Sequence, residues 1–261
     1  MQALSGQSVL VTGAGRGIGK ALALKLAAEG AHVTLVARTA PELESAVGEI
    51  ERRGGHATAV AASVTDAAAV KRAVATAART RPLSVLVNNA GIPGPYGPID
   101  AIDPREWWRA QEVNVLGTLL FMHEVIPGMR ALGAGRIVNI VSSAGVDPVP
   151  HLSAYAVSKA TLIRLTETVD LELREAGPRV FALHPGTITT AMARGTISSP
   201  QAQRWLPGGV AMLRGRADED SAKDLARCCE VVAAIAAGRY DALGGRYLDL
   251  WWDLDEKARQ A

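Results

Sequence analysis

The sequence predicts an α/β fold with a doubly wound parallel sheet of about seven strands and helices on both faces. Three observations predict it. Short apolar runs of strand length alternate with helix patterns along all 261 residues. The first run, residues 8–11, leads directly into a glycine-rich turn and a helix. The chain contains no internal repeat or linker, so we expect a single domain over residues 1–261.

The first turn predicts a nucleotide site. Residues 12–19 read Thr-Gly-Ala-Gly-Arg-Gly-Ile-Gly between strand 8–11 and an apolar helix that ends near residue 29. Glycines here allow a tight turn and let a pyrophosphate approach the backbone, while the helix N-terminus attracts phosphate. The alternative is a plain strand-to-helix turn. The candidate binding residues are Gly13, Gly15, Arg16, Gly17, Ile18 and Gly19.

The end of the second predicted strand, residues 31–37, bears on cofactor choice. An NAD site is expected to place Asp or Glu there, to hold the ribose hydroxyls. This chain has Arg38 and Thr39 instead, and a guanidinium matches a 2′-phosphate. Arg16 could add a second positive charge. We therefore expect NADP(H) rather than NAD(H), the alternative being that Arg38 is a solvated surface residue.

The middle of the chain continues the alternation. A surface helix over 41–53 is followed by a strand over 56–61, and Asp66 is expected to cap a helix over 67–80. Strand 83–87 then ends in Asn88-Asn89-Ala90-Gly91, at the sheet edge where open α/β sheets bind ligands. The Asp103-Pro104 pair marks the start of a helix that runs through Asn114.

The strongest chemical signal lies in the helix predicted over 153–176. Tyr155 and Lys159 stand at i and i+4, so they share one face of that helix. We expect the lysine ammonium to lower the tyrosine pKa, so that the phenol can exchange a proton near neutral pH. The alternative for this short pattern is an exposed Tyr and Lys. Ser142 lies just upstream, at the end of a strand predicted over 135–141.

The remaining chain predicts a strand over 179–183, a helix over 218–237 and a last strand over 245–249. Residues 191–215 lack a clear period and are expected to form a mobile flap or short helices over the site. The charged tail from Asp255 is expected to fray.

Composition excludes several classes of protein. The net charge of +2 is too balanced to favour a nucleic acid or an anionic membrane as partner. The adjacent Cys228 and Cys229 offer neither a disulfide nor metal-ligand spacing, so we expect reduced thiols and no bound metal. Residues 1–7 lack a signal-peptide pattern and no apolar run approaches the length of a membrane span, so we expect a cytoplasmic protein.

Five motifs in order give the chain a resemblance to the short-chain dehydrogenase/reductase family, over nearly its whole length. The turn at 12–19 resembles the family's T-G-x-x-x-G-x-G loop, and 88–91 its N-N-A-G motif. Asn114, Ser142, Tyr155 and Lys159 follow the family's catalytic order. Residues 185–190 resemble its nicotinamide-binding loop, and 244–249 its last strand. The resemblance implies a Rossmann-type fold and a nicotinamide-dependent oxidoreductase.

The resemblance also implies roles for these residues. Tyr155 would be the general acid and base, Lys159 would lower its pKa and hold the nicotinamide ribose, Ser142 would bind the substrate oxygen, and Asn114 would hold a water. Beyond the glycine turn, the implied cofactor-binding residues are Arg38, Thr39, Ser63, Val64, Asn89, Ala90, Gly91, Tyr155, Lys159, Pro185, Gly186, Ile188 and Thr190.

One position departs from the family. Its members usually carry Asp after the third strand, against the adenine amine, whereas this chain has Ser63. A hydroxyl can accept the same hydrogen bond without a charge, and the alternative is that Ser63 is only a turn residue.

The substrate is expected to be a small carbonyl compound or alcohol in a partly apolar pocket. The candidate lining residues are Pro93, Tyr96, Val149, His151, Thr187 and Trp205. His151 could instead be a loop histidine in solvent.

The family resemblance implies a homodimer or homotetramer. A second functional hypothesis is an inactive dinucleotide-binding sensor or scaffold, since the fold alone does not determine activity. The four-residue Tyr–Lys spacing disfavours an enoyl reductase.

Overall fold

The computed structural model describes residues 2–261 and contains one sheet of seven parallel strands, which confirms the predicted fold class. Met1, part of the predicted single-domain range and of the N-terminal stretch, lies outside the described residues. The sheet order is β3-β2-β1-β4-β5-β6-β7. The strands are β1 Ser8–Thr12, β2 His32–Ala37, β3 His56–Ala61, β4 Leu83–Asn88, β5 Arg136–Ile140, β6 Arg179–His184 and β7 Tyr247–Asp249.

Helices connect the strands and cover both faces of the sheet. Along β1, the side chains of Val9 and Val11 pack on one face with buried residues of the first, second and tenth helices. Leu10 packs on the other face with residues of the third and fifth helices. The helices are α1 Gly17–Ala28, α2 Ala40–Arg52, α3 Ala67–Ala77, α4 Pro104–Gln111, α5 Gly117–Ala131, α6 Ser153–Leu173, α7 Ala191–Ser198, α8 Pro200–Trp205, α9 Pro207–Gly215, α10 Asp218–Ala236 and α11 Leu254–Gln260.

Side-chain caps begin α3 and α4 as the sequence predicts. Asp66 accepts a hydrogen bond from the Ala69 amide at 3.0 Å, and Asp103 accepts one from the Arg105 amide at 2.8 Å. The helix ends differ more. The helix predicted over 67–80 ends at Ala77, and the one predicted over 153–176 ends at Leu173, because the chain tightens into turns before reaching the prolines that follow.

The helix predicted to run through Asn114 is interrupted. After α4 the backbone widens into a π-helical turn, Glu112–Leu116, and then resumes as α5. The Gly117 amide closes this turn on the Glu112 carbonyl. Asn114 is fully buried within the turn.

Residues 191–215 form three short helices, α7 to α9, which agrees with the short-helix form of the prediction. The tail that was expected to fray forms the helix α11 instead. Asp253 caps this helix by accepting a hydrogen bond from the Glu256 amide at 2.9 Å. Asp255 also pairs with Arg239 at 2.7 Å. Within residues 2–261, no helix is both long enough and apolar enough to cross a bilayer.

Candidate functional site

The carboxyl ends of the strands open on a cavity of about 480 Å³. This is the edge at which parallel α/β sheets bind ligands. Of the predicted site residues, sixteen line it: Gly13, Gly15, Arg16, Gly17, Ile18, Arg38, Thr39, Ser63, Val64, Asn89, Ala90, Gly91, Tyr155, Lys159, Pro185 and Thr190.

The end of β4 fastens the glycine turn in place. The Thr12 hydroxyl accepts hydrogen bonds from the Asn89 and Ala90 amides at 3.0 and 3.1 Å, and the Asn89 side chain donates to the Thr12 carbonyl at 3.0 Å. A Cβ on Gly13, whose φ is +65°, would lie 2.9 Å from Asn89 Nδ2. A Cβ on Gly19 would overlap the Gly13 carbonyl, so Gly19 serves the close packing of helix on turn.

One end of the cavity is lined by residues that follow β2. Arg38 and Thr39 are exposed there. Arg16 pairs with Glu42 at 3.4 Å, and a Cβ on Gly15 would lie 2.9 Å from Glu42 Oε2. Glu42 is not among the predicted site residues, because by its pattern it belongs to the surface helix predicted over 41–53. This end of the cavity therefore carries two guanidinium groups and one carboxylate.

Ser63 lies in the cavity wall and also stabilises its own turn. Its hydroxyl lies 2.9 Å from the Thr65 hydroxyl and accepts from the Thr65 amide at 3.4 Å. Both interpretations made from the sequence, a ligand contact and a turn residue, are compatible with this placement.

Tyr155 and Lys159 face the same cavity from α6. The Lys159 ammonium lies 5.5 Å from the centre of the Tyr155 ring and donates a 2.7 Å hydrogen bond to the Ile140 carbonyl. Lys159 is only 4% exposed, and burial lowers its pKa from 10.5 to about 8. A buried ammonium is thus held at the end of β5, beside the phenol.

The pKa of Tyr155 differs in direction from the sequence prediction. Burial raises this pKa above its usual value of 10.0, a hydrogen bond with Ser142 lowers it, and the neighbouring Tyr96 phenol raises it. Burial is the largest of these effects, so the expected lowering by Lys159 is not found. Ser142 also accepts from the Ala144 amide at 3.2 Å, which holds its hydroxyl near the phenol.

Asn114 joins the loop after β4 to α6. Its side-chain oxygen accepts from the Ile92 amide at 2.8 Å, and its nitrogen donates to the Ile92 carbonyl at 2.9 Å and to the Ser158 hydroxyl at 2.8 Å. Ser158 in turn donates to the Tyr155 carbonyl at 2.7 Å. Ser158 is not among the predicted site residues, because its role depends on this contact between distant segments.

The loop after β6 borders the cavity with only some of its predicted residues. Pro185 and Thr190 line the cavity, and Thr190 also caps α7 by accepting from the Ala193 amide at 3.3 Å. Ile188 lines a neighbouring cavity. Gly186 lies on the side of the loop that faces α10, close to Asp224.

Two of the six predicted substrate-pocket residues line the cavity, Pro93 and Tyr96. The Tyr96 and Thr196 hydroxyls lie 2.7 Å apart, which ties the loop after β4 to α7. His151 has a φ of +64°, and its ring packs against the Trp205 ring in a tilted arrangement with ring centres 5.4 Å apart. Within residues 2–261, His151, Trp205, Val149 and Thr187 do not line this cavity, so their contact with a substrate stays a prediction.

A doubly wound parallel sheet with a glycine turn opening on a cavity at the strand ends defines the Rossmann-like class of nucleotide-binding proteins. The chain belongs to the short chain dehydrogenase family, whose sequence profile matches residues 7–201. It is therefore an oxidoreductase of a family that binds nicotinamide cofactors and acts on small molecules.

Known relatives cover almost the whole chain. Dehydrogenase/reductase SDR family member 4 from Bos taurus is 32% identical over 93% of this chain and 87% of its own length. The structure of an NAD⁺-bound xylitol dehydrogenase is 29% identical, covers 94% of this chain and 98% of its own, and superposes with a TM-score of 0.82. A structure from Beutenbergia cavernae with bound NADP is 30% identical, covers 95% and 96%, and has a TM-score of 0.79. Relatives of this fold thus include complexes with either cofactor.

Proposed function

We propose that the protein is an NADP(H)-dependent oxidoreductase that transfers hydride between nicotinamide and a carbonyl or secondary alcohol, with Tyr155 as general acid and base. The observation that carries the proposal is one cavity with a glycine turn at one side and the Tyr155 phenol, beside Ser142 and Lys159, at the other. We also propose that the enzyme is a single domain, that it is cytoplasmic, and that α7 to α9 form a flap over the substrate.

The cavity fits a dinucleotide. The turn at Gly13 and Gly15 leaves no room for side chains, so backbone amides can approach a pyrophosphate there. Arg38 lies towards the end of the site that the ribose of the adenosine would occupy. The reacting end would then lie near Tyr155 and Pro185, which line the same cavity.

The chain's own residues supply the proton chemistry. When bound, the nicotinamide supplies or accepts the hydride. In reduction, the Tyr155 hydroxyl would give its proton to the substrate oxygen as the carbonyl becomes an alcohol, and in oxidation it would take that proton back. Ser142 would donate a hydrogen bond to the same oxygen, and the Lys159 ammonium would stabilise the phenolate that remains. Asn114, with its backbone partners, would hold the water that resupplies the proton.

Arg38 supports NADP(H) over NAD(H), which leads to a testable prediction. Among residues 2–261, Arg38 forms no salt bridge with a carboxylate, so its guanidinium remains available for a 2′-phosphate. We expect Arg38→Asp to lower the ratio of kcat/KM for NADPH to that for NADH by at least about tenfold, since one charge-assisted contact is worth about 1.5–3 kcal/mol. Arg79→Asp is the matched control, because it makes the same change on the surface after α3.

Glu42 gives a second, opposite test of the same end. Its carboxylate pairs with Arg16 and lies beside the glycine turn. It should therefore repel a 2′-phosphate and also neutralise Arg16, one of the two guanidinium groups at this end. We expect Glu42→Gln to raise the NADPH-to-NADH ratio several-fold, while Arg38→Asp lowers it. If steady-state kinetics with both cofactors leave the ratio unmoved in both variants, this end of the cavity does not select the cofactor.

A screen of NADPH oxidation over ketones, diketones and sugar-type carbonyls, repeated with NADH, tests the activity itself. The apolar Ile92, Pro93 and Met192 beside Tyr96 favour ketones, keto-esters or cyclic alcohols. The second candidate, an inactive sensor, would bind NADPH and show no turnover with any compound. Tyr155 and Lys159 on the cavity wall, with Ser142 hydrogen-bonded to the phenol behind them, favour the enzyme.

We also propose a homodimer or homotetramer. Large apolar side chains are exposed on two neighbouring helices, Leu119 of α5 at 45% and Leu171 of α6 at 61%. Apolar surface of this kind is commonly covered by a partner. Light scattering of the purified protein tests it.

A further inference from the structure

Two side chains of α10 hold the loop after β6 from behind. The Thr187 amide donates a 3.0 Å hydrogen bond to Asp224, and the Thr189 amide donates a 2.8 Å hydrogen bond to the Ser221 hydroxyl. Asp224 and Ser221 are three residues apart on one face of α10, 2% and 8% exposed. Asp224 and Ser221 of α10 therefore hold the loop backbone in position, although neither residue lines the main cavity.

Asp224 has a second partner at the end of the α7–α9 segment. Arg216, which directly follows α9, forms a salt bridge with the same carboxylate oxygen that accepts from the Thr187 amide. The guanidinium of Arg216 also lies over the Trp251 ring, 5.9 Å from its centre. One buried carboxylate thus joins the loop after β6 to Arg216, the residue that follows the short-helix segment.

The loop approaches Asp224 too closely for a side chain to intervene. Gly186 has a φ of +82°, and a Cβ there would lie 2.9 Å from Asp224 Oδ2 and 3.0 Å from Leu250 Cδ2. A buried carboxylate is stable only when it is hydrogen-bonded and paired, and both partners of Asp224 are supplied by the segments that it joins. The contact is therefore a fixed point of the site.

The two ends of the cavity depend on this contact to different degrees. Pro185, which begins the loop, lines the cavity together with Tyr155, whereas Arg38 lines the adenosine end. Thr190, which ends the loop, lies against the glycine turn, since a Cβ on Gly17 would be 3.5 Å from Thr190 Cγ2. A shift of the loop should thus change mainly how the reacting end of a dinucleotide is held, with a smaller effect at the pyrophosphate.

We propose that Asp224 is a positioning residue, which sets the loop after β6 and the end of the α7–α9 segment for binding the nicotinamide half of the cofactor. The inference rests on the proposed function. Asp224 acts through the Thr187 amide and Arg216 and does not itself contact the reacting atoms.

The test compares whole cofactor with a fragment that lacks nicotinamide. Dissociation constants of NADPH and of 2′-phospho-ADP-ribose, and in parallel NADH and ADP-ribose, are measured by calorimetry for wild type, Asp224→Asn and the control Glu219→Gln, an exposed acid of the same helix. We expect Asp224→Asn to weaken dinucleotide binding at least about tenfold and fragment binding at most about threefold, because the fragment would meet the displaced loop only at Thr190, beside the glycine turn. Glu219→Gln should leave all four constants unchanged.

A second variant covers the case in which Asp224→Asn does not fold. Ser221→Ala removes the neighbouring acceptor without leaving a charge unpaired, and the same split should appear with a smaller dinucleotide effect of about threefold. Equal weakening of dinucleotide and fragment, or no change in either, would overturn the inference. Wild-type protein that binds none of the four ligands would contradict the proposed function, and the inference with it.

Discussion

Tyr155→Phe is expected to lower kcat at least about 10³-fold while NADPH binding stays within about twofold of wild type. The substitution removes only the hydroxyl whose pKa responds to Ser142, and proton transfer by a positioned side chain contributes roughly 10²- to 10⁴-fold to rate. The phenyl ring keeps the packing of α6, so the fold and the cavity should persist.

Single-turnover and steady-state rates with the best carbonyl from the screen measure this effect, and quenching of tryptophan fluorescence measures NADPH binding. Tyr240→Phe is the matched control, because it removes the hydroxyl of a buried tyrosine that lies outside the cavity. Turnover that survives in Tyr155→Phe would remove the phenol from the mechanism. Loss of NADPH binding along with turnover would mean that the variant is damaged in the cofactor site.

Lys159→Met is expected to have opposite effects on activity and on stability. Turnover and cofactor affinity should both fall, because one ammonium is assigned to both. The free energy of unfolding at pH 7 should rise by about 1–2 kcal/mol, because wild type buries an ammonium whose pKa has dropped to about 8. The lost hydrogen bond to the Ile140 carbonyl, at 2.7 Å, offsets part of the gain.

The sign of the pH dependence follows from the two pKa values. Between about pH 8 and 10.5 the unfolded chain holds the Lys159 proton and the folded protein releases it, so wild-type stability contributed by this group rises with pH. The advantage of Lys159→Met should therefore shrink by about 3 kcal/mol over that window and reverse about midway through it. Urea unfolding of both proteins from pH 7 to 10.5 measures it, with Lys71→Met, an exposed lysine of α3, as the control. A difference that stays constant across this window would show that the ammonium is not buried as described.

The elements of this fold could be predicted because their signals are local. The Asp66 and Asp103 caps, the glycine turn and the alternating apolar runs each depend on a few neighbouring residues, and the structure has them where the sequence indicates. The family resemblance then supplied an order of residues that the fold brings to one edge of the sheet. Helix ends were less accurate, as at Ala77, because the final turn depends on what packs against it.

What the sequence could not supply depends on contacts between distant segments. Glu42 belongs to a surface helix by its pattern, yet it lies beside Gly15, 27 residues earlier in the chain. Asp224 reads as one of several acids on α10, and only the fold shows it bonded to Thr187. The pKa of Tyr155 likewise depends on burial by the surrounding segments, which outweighs the helical spacing to Lys159.

The π-helical turn at Glu112–Leu116 has a consequence for how this chain can change. Such a turn absorbs one residue more than the regular helix around it, so deleting a residue there would restore ordinary winding with α4 and α5 still in phase, but would change the direction in which Asn114 projects. Asn114 would then swing away from Ile92, and the loop after β4 would lose its tether to α6. The cavity thus depends on this one irregular turn of backbone. Insertions and deletions should be better tolerated in the surface turns than here.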